Sequence, residues 1–117
     1  MPKLKILIVD DEIDYCLIMK SYFQSKGYEV IIAYTLKEGL QKLREIKPEI
    51  LVLDNNLPDG KGWDCIDTII EQFPSLKIYL ISAYRQKSDM LNTIPNVTVW
   101  EKPISLSLLD TTFQPVG

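Results

Sequence analysis

The residues of this chain best suited to chemistry are acids. Asp10 and Asp11 follow one apolar run, and Asp54 follows another, Ile50-Leu51-Val52-Leu53. After Asp54 come the turn-forming Asn55-Asn56-Leu57-Pro58-Asp59-Gly60, while Ser82 and Lys102 stand near the ends of two further apolar runs. Three carboxylates brought together repel one another and raise one another's pKa values unless a cation lies among them. An all-oxygen donor set with room for water suits Mg²⁺ or Mn²⁺, which puts a divalent metal on Asp10, Asp11 and Asp54. A carboxylate can also attack phosphorus and become an aspartyl phosphate. The oxygens of the transferred group then need neutralising by the metal and by the Lys102 ammonium, with a hydroxyl donor in Ser82. These groups suffice for phosphoryl transfer onto the protein itself, Asp54 being the nucleophile, if one fold brings them to one place.

The elements between them supply such a fold. Residues 4–9 read as a buried first strand, ended by Asp10-Asp11-Glu12. Tyr15, Ile18, Met19 and Tyr22 recur at i, i+3, i+4 and i+7 as the inward face of a first helix, with Gly27 as the left-handed residue that ends it. Residues 30–34 form a second strand. Thr35 and Glu38 then make a capping-box pattern, Leu36, Gly39, Leu40 and Leu43 form the inward stripe of a second helix, and Pro48 bars its continuation. Residues 50–54, apolar without alternation, read as a strand covered on both faces. Residues 62–73 read as a third helix closed by Pro74, and 78–81 as a fourth strand. The polar stretch 84–93 reads as a weak, mobile fourth helix, 97–100 as a short fifth strand, and 105–113 as a shortened fifth helix. Strands alternating with helices imply right-handed βαβ units. The expected fold is α/β: a doubly wound, five-stranded parallel sheet of order 2-1-3-4-5, flavodoxin-like. All strand carboxyl ends then share one edge, where Asp10, Asp11, Asp54, Ser82 and Lys102 should converge.

Bulk properties narrow the function classes. A chain of 117 residues, 46% hydrophobic and 25% charged, reads as one globular domain over 1–117. A net charge of −3 with no basic run argues against direct nucleic-acid binding. Histidine is absent and there are two cysteines, Cys16 and Cys65, which argues for two buried reduced thiols rather than zinc or thiol chemistry. The short N-terminal apolar run is neither a signal peptide nor a membrane span, so a cytoplasmic address is expected. Trp63 and Trp100 read as packing residues.

Four motifs, in order and at these strand ends, carry a family resemblance: Ile8-Val9-Asp10-Asp11-Glu12; Val52-Leu53-Asp54 with Pro58 and Gly60; Ile81-Ser82-Ala83; and Lys102-Pro103. Over essentially its whole length the chain resembles the receiver domain of two-component response regulators, of the chemotaxis-regulator kind. The resemblance implies that Asp54 accepts a phosphoryl group from a sensor histidine kinase or a histidine phosphotransfer protein. It implies that Asp11 ligates Mg²⁺ directly, Asp10 through water and Asn56 through its backbone carbonyl. Lys102 would bind a phosphoryl oxygen, Ser82 would swing toward the phosphate, and Lys102–Pro103 would be a cis peptide. Phosphorylation would then shift a two-state equilibrium and reshape a protein-interaction surface. The output would be a downstream protein or an output domain of a longer chain, with homodimerisation left open and no membrane partner. No enzyme activity is implied beyond self-phosphorylation from a donor and slow autodephosphorylation.

The chain departs from the family at the switch position, among other places. Three residues before the lysine, where relatives carry the aromatic partner of the switch, this chain has Val99, with Trp100 pointing to the opposite strand face. An alternative is a haloacid-dehalogenase-like aspartyl-phosphate hydrolase, but the second Asp and the Thr expected there are Asn56 and Pro58. A flavodoxin-like cofactor binder is opposed by the acids after strand one, which would repel phosphate.

Overall fold

The computed structural model describes residues 3–82 and 94–113. Along the chain run β1 (Lys5–Val9), α1 (Ile13–Ser25), β2 (Glu29–Ala33), α2 (Leu36–Ile46) and β3 (Ile50–Asp54). A short antiparallel pair follows, β4 (Asn56–Leu57) and β5 (Gly60–Lys61), then a 3₁₀ turn (Gly62–Cys65) and α3 (Ile66–Gln72). The chain continues into β6 (Lys77–Ser82), β7 (Val97–Glu101) and α4 (Leu106–Thr112). The expected fourth helix over 84–93 lies outside the described residues.

The main sheet has the order β2-β1-β3-β6-β7 with every pairing parallel. This is the expected 2-1-3-4-5 order, the small hairpin having taken two numbers. Residues of β1 and β3 alternate between two cores. Leu7, Val9, Leu51 and Leu53 pack with Leu36 and Leu43 of α2 and Ile66 and Ile69 of α3. Ile6, Ile8 and Val52 pack with Cys16, Met19 and Phe23 of α1 and Leu109 of α4. Cover on both faces is why these strands read as unbroken apolar runs, and every residue of β3 is buried.

The inward face of α1 is rotated from the expected one. Cys16, Met19 and Phe23 are buried, Tyr15 and Tyr22 pack at its edges, and Ile18 is 62% exposed. Two interleaved apolar sets share the helical spacing here. The set that wins carries Phe23 into edge-to-face contact with Tyr28 and Phe113, at centroid separations of 5.6 and 4.9 Å, a favoured aromatic geometry. Gly27 has φ 95°, and the amides of Gly27 and Tyr28 donate back to Gln24 and Phe23 carbonyls at 3.0 Å, the left-handed helix stop expected of it.

Thr35 Oγ1 accepts from the Glu38 amide at 3.1 Å, as a cap should. A second cap comes from far along the chain. The Asp59 carboxylate accepts from the amides of Leu36 at 2.7 Å and Lys37 at 2.9 Å, tying the loop after Asp54 to the start of α2. The third helix was expected to be α-helical from Gly62, but its first turn is 3₁₀. Both thiols are free, as expected, but only Cys16 is buried; Cys65 is half-exposed between α2 and α3.

Candidate functional site

Parallel strands deliver Asp10, Asp54 and Lys102 to the same edge, just beyond or at the ends of β1, β3 and β7. Asp10 and Asp54 are 2% and 3% exposed. One oxygen of each is held locally: Asp10 Oδ1 accepts from the Glu12 amide at 3.0 Å, and Asp54 Oδ1 from the Asn56 amide at 3.3 Å. Their Oδ2 atoms lie 3.0 and 3.6 Å from Lys102 Nζ, which also stands 3.7 Å from Glu12 Oε1. Asp11, exposed, completes a group in which Asp10, Asp11 and Asp54 each offer an oxygen within 4.8 Å of the others.

The electrostatics follow from burial. Desolvation, then the charge of Asp10, pushes the Asp54 carboxyl up to about 6, with Lys102 opposing. Burial likewise raises Asp10. Burial works against the Lys102 ammonium, but its hydrogen bond to Asp10 and the charges of Asp54 and Asp10 outweigh it and raise its pKa. One ammonium among so many carboxylates leaves an excess of negative charge. Clustered oxygens of this kind, opening to solvent at Asp11, fit a hard divalent cation that keeps part of its water.

A carboxyl whose pKa is raised in the folded protein binds more protons there than in the unfolded chain. Stability is therefore lost as pH climbs from about 4 through 6 and regained as it falls. In EDTA, the protein is expected to unfold at higher temperature at pH 5 than at pH 7.5, the Asp54 contribution between these two pH values being on the order of 1 kcal/mol. Mg²⁺ should raise the midpoint at pH 7.5. A thermal midpoint in EDTA that rises from pH 5 to pH 7.5 would contradict this.

Ser82 ends β6 almost fully buried, opposite Glu101 in the register, and its carbonyl accepts from the Lys102 amide at 2.9 Å. Asn56 is exposed and begins the hairpin. The Lys102–Pro103 bond is cis, as the resemblance implied. Val99 packs against the core cluster on the sheet face that α2 and α3 cover, whereas Trp100 packs on the other face, 4.8 Å from the Tyr79 ring centroid. The two residues do point apart, and Trp63 and Trp100 are both packing residues.

Three residues beside the site were not singled out for it from sequence. Glu12 and Tyr15 both approach Lys102. Asn55 had read only as a turn residue, yet it is buried. Its amide donates to Ile81 O at 2.8 Å, its carbonyl accepts from Gly62 at 3.1 Å, and its Oδ1 accepts from the Trp63 amide at 3.0 Å. It thereby clamps the 3₁₀ turn against the strand ends. Gly62 fits this clamp because a Cβ there would lie 2.8 Å from Asp54 O and 2.9 Å from Leu53 Cγ. Gly62→Ala is expected to cost about 1–3 kcal/mol, read by chemical denaturation; an unchanged midpoint would show that the turn yields freely.

The sequence model of the response regulator receiver domain matches residues 6–111. The chemotaxis protein CheY of Thermotoga maritima is 33% identical over 91 residues, 77% of this chain and 76% of that protein. The KDP operon transcriptional regulatory protein KdpE of Escherichia coli is 31% identical over 74% of this chain and 38% of its own length. Among solved structures, a CheY-like response regulator receiver domain protein from Methanospirillum hungatei matches with a TM-score of 0.81 and 26% identity, covering 95% of this chain and 91% of the other. No helix among the described residues is long and apolar enough to cross a membrane.

Proposed function

The chain belongs to the response regulator receiver domain family of two-component systems, and from that membership we propose that it is a phosphoacceptor switch acting through Asp54. The donor is a sensor histidine kinase or a histidine phosphotransfer protein. The observation that carries this reading is the approach of one ammonium, Lys102 Nζ, to two buried carboxylates at 3.0 and 3.6 Å, with Asp11 beside them at the solvent.

In the transfer, an Asp54 carboxylate oxygen forms the new bond to phosphorus as the bond to the donor atom breaks, and the donor keeps that electron pair. Lys102 is placed to take up the charge of the phosphoryl oxygens. Asp10, Asp11, Asp54 and the Asn56 backbone carbonyl would hold Mg²⁺ or Mn²⁺, which when bound neutralises charge on the transferred group. Ser82, joined to Lys102 through its backbone, is the hydroxyl that turns toward the phosphate. That turn shifts the population of a partner-binding surface. That partner is a downstream protein or an output domain, and the role is regulatory. Among the described residues no observation favours the hydrolase alternative.

Incubation with acetyl phosphate and Mg²⁺, read by intact mass, tests the reading. The expected result is a gain of one phosphoryl group that EDTA abolishes. No gain in Mg²⁺ would overturn it.

A further inference from the structure

Tyr15 has no part in the chemistry above, yet it lies against its central cation. Lys102 Nζ stands over the Tyr15 ring, 5.1 Å from the centroid, inside the range of roughly 6 Å at which a ring face attracts an ammonium. The same nitrogen reaches Asp10 and Asp54, so it sits between carboxylates and a π face. The first turn of α1 keeps the ring at this height. The Glu12 amide is bound to Asp10 Oδ1, the Cys16 amide to Glu12 O at 3.0 Å, and Cys16 Sγ–H donates to Asp10 O at 3.3 Å.

The phenol oxygen is buried with no hydrogen-bond partner among the described residues. An unbonded buried hydroxyl is unfavourable, so packing alone would be better served by an apolar side chain of similar size. Burial, reinforced by the charges of Asp10 and Asp54, drives the phenol pKa upward, and the ring stays neutral. A neutral face holds a cation without neutralising it. A further carboxylate in its place would compete with the incoming phosphoryl oxygens for the lysine.

We propose that Tyr15 is a positioning residue for Lys102, its ring face setting the ammonium where it can meet the phosphoryl group on Asp54. This rests on the reading of Asp54 as phosphoacceptor. The test compares wild type, Tyr15→Phe, Tyr15→Leu, Lys102→Ala and the Tyr15→Leu/Lys102→Ala pair, labelled with acetyl phosphate at saturating Mg²⁺. Tyr15→Leu should slow labelling roughly fivefold, while Tyr15→Phe, which keeps the ring, retains most of the rate. On the Lys102→Ala background, Tyr15→Leu should add no further loss, because the partner through which it acts is gone. NMR gives a readout independent of phosphorylation: the Lys102 ε-methylene protons should be shifted upfield by the ring in wild type and Tyr15→Phe, and released in Tyr15→Leu. Labelling of Tyr15→Leu at the wild-type rate, or an equal loss with and without Lys102, would overturn the positioning role. So would unshifted ε-methylene protons in wild type, a measurement that needs no variant to fold. If wild type takes up no phosphoryl group while its ε-methylene protons are ring-shifted, the contact stands and the phosphoacceptor reading fails.

Discussion

Asp54→Asn is expected to take up no phosphoryl group from acetyl phosphate and Mg²⁺ under conditions where the wild type gains one. Asparagine matches aspartate in shape and keeps a carbonyl oxygen for the Asn56 amide, which Asp54 Oδ1 now accepts at 3.3 Å. It lacks the anionic oxygen that attacks phosphorus. The loss should therefore be complete in chemistry and small in structure. Because burial and Asp10 push the Asp54 carboxyl up to about 6, a neutral amide removes a repulsion that the metal-free protein otherwise carries at pH 7.5. The variant should then unfold in EDTA at a temperature no lower than wild type. Folding and chemistry are thus read separately, by thermal denaturation and by intact mass. If Asp54→Asn is labelled as well as wild type, another residue is the acceptor and the site has been misassigned.

The position of this site was legible because parallel strands leave a strong trace. β1 and β3 are covered on both faces, so their apolar runs are continuous, and an acid ending such a run falls at the sheet edge. What could not be read depends on contacts between distant segments. The spacing in α1 admits two inward faces, and the choice between Ile18 and the Cys16–Met19–Phe23 set is made by Phe113, near the other end of the chain. Asp59 had read as a turn residue, and nothing local announces that it caps α2 across the loop. Asn55 looks like its neighbour Asn56, yet one is buried as a clamp and the other is exposed. Tyr15 was placed on the core face by its spacing; its place over Lys102 exists only once β7 has brought that lysine across.

Lys102→Met should move two properties of the site in opposite directions. Methionine retains much of the apolar stem, which packs where a half-buried lysine stem would, and deletes only the ammonium. Phosphoryl uptake should fall by about 10²-fold, the usual loss when one preorganised donor to the developing charge is removed. Metal binding should tighten, because Lys102 Nζ now lies 3.0 Å from Asp10 Oδ2 and 3.6 Å from Asp54 Oδ2, where it would compete with a bound Mg²⁺ for the same carboxylates. Removing a unit charge this close is worth a tenfold gain in affinity or more, roughly. In EDTA at pH 7.5 the variant should be less stable than wild type, since Asp10 and Asp54, both almost fully buried, lose their ammonium. Mg²⁺ should recover most of that loss. Calorimetric titration of Mg²⁺, thermal midpoints with and without metal, and labelling rates read the three effects apart. A variant that binds Mg²⁺ more weakly than wild type would show that the lysine supports the metal site rather than competing for it, and unchanged labelling would remove Lys102 from the transfer step.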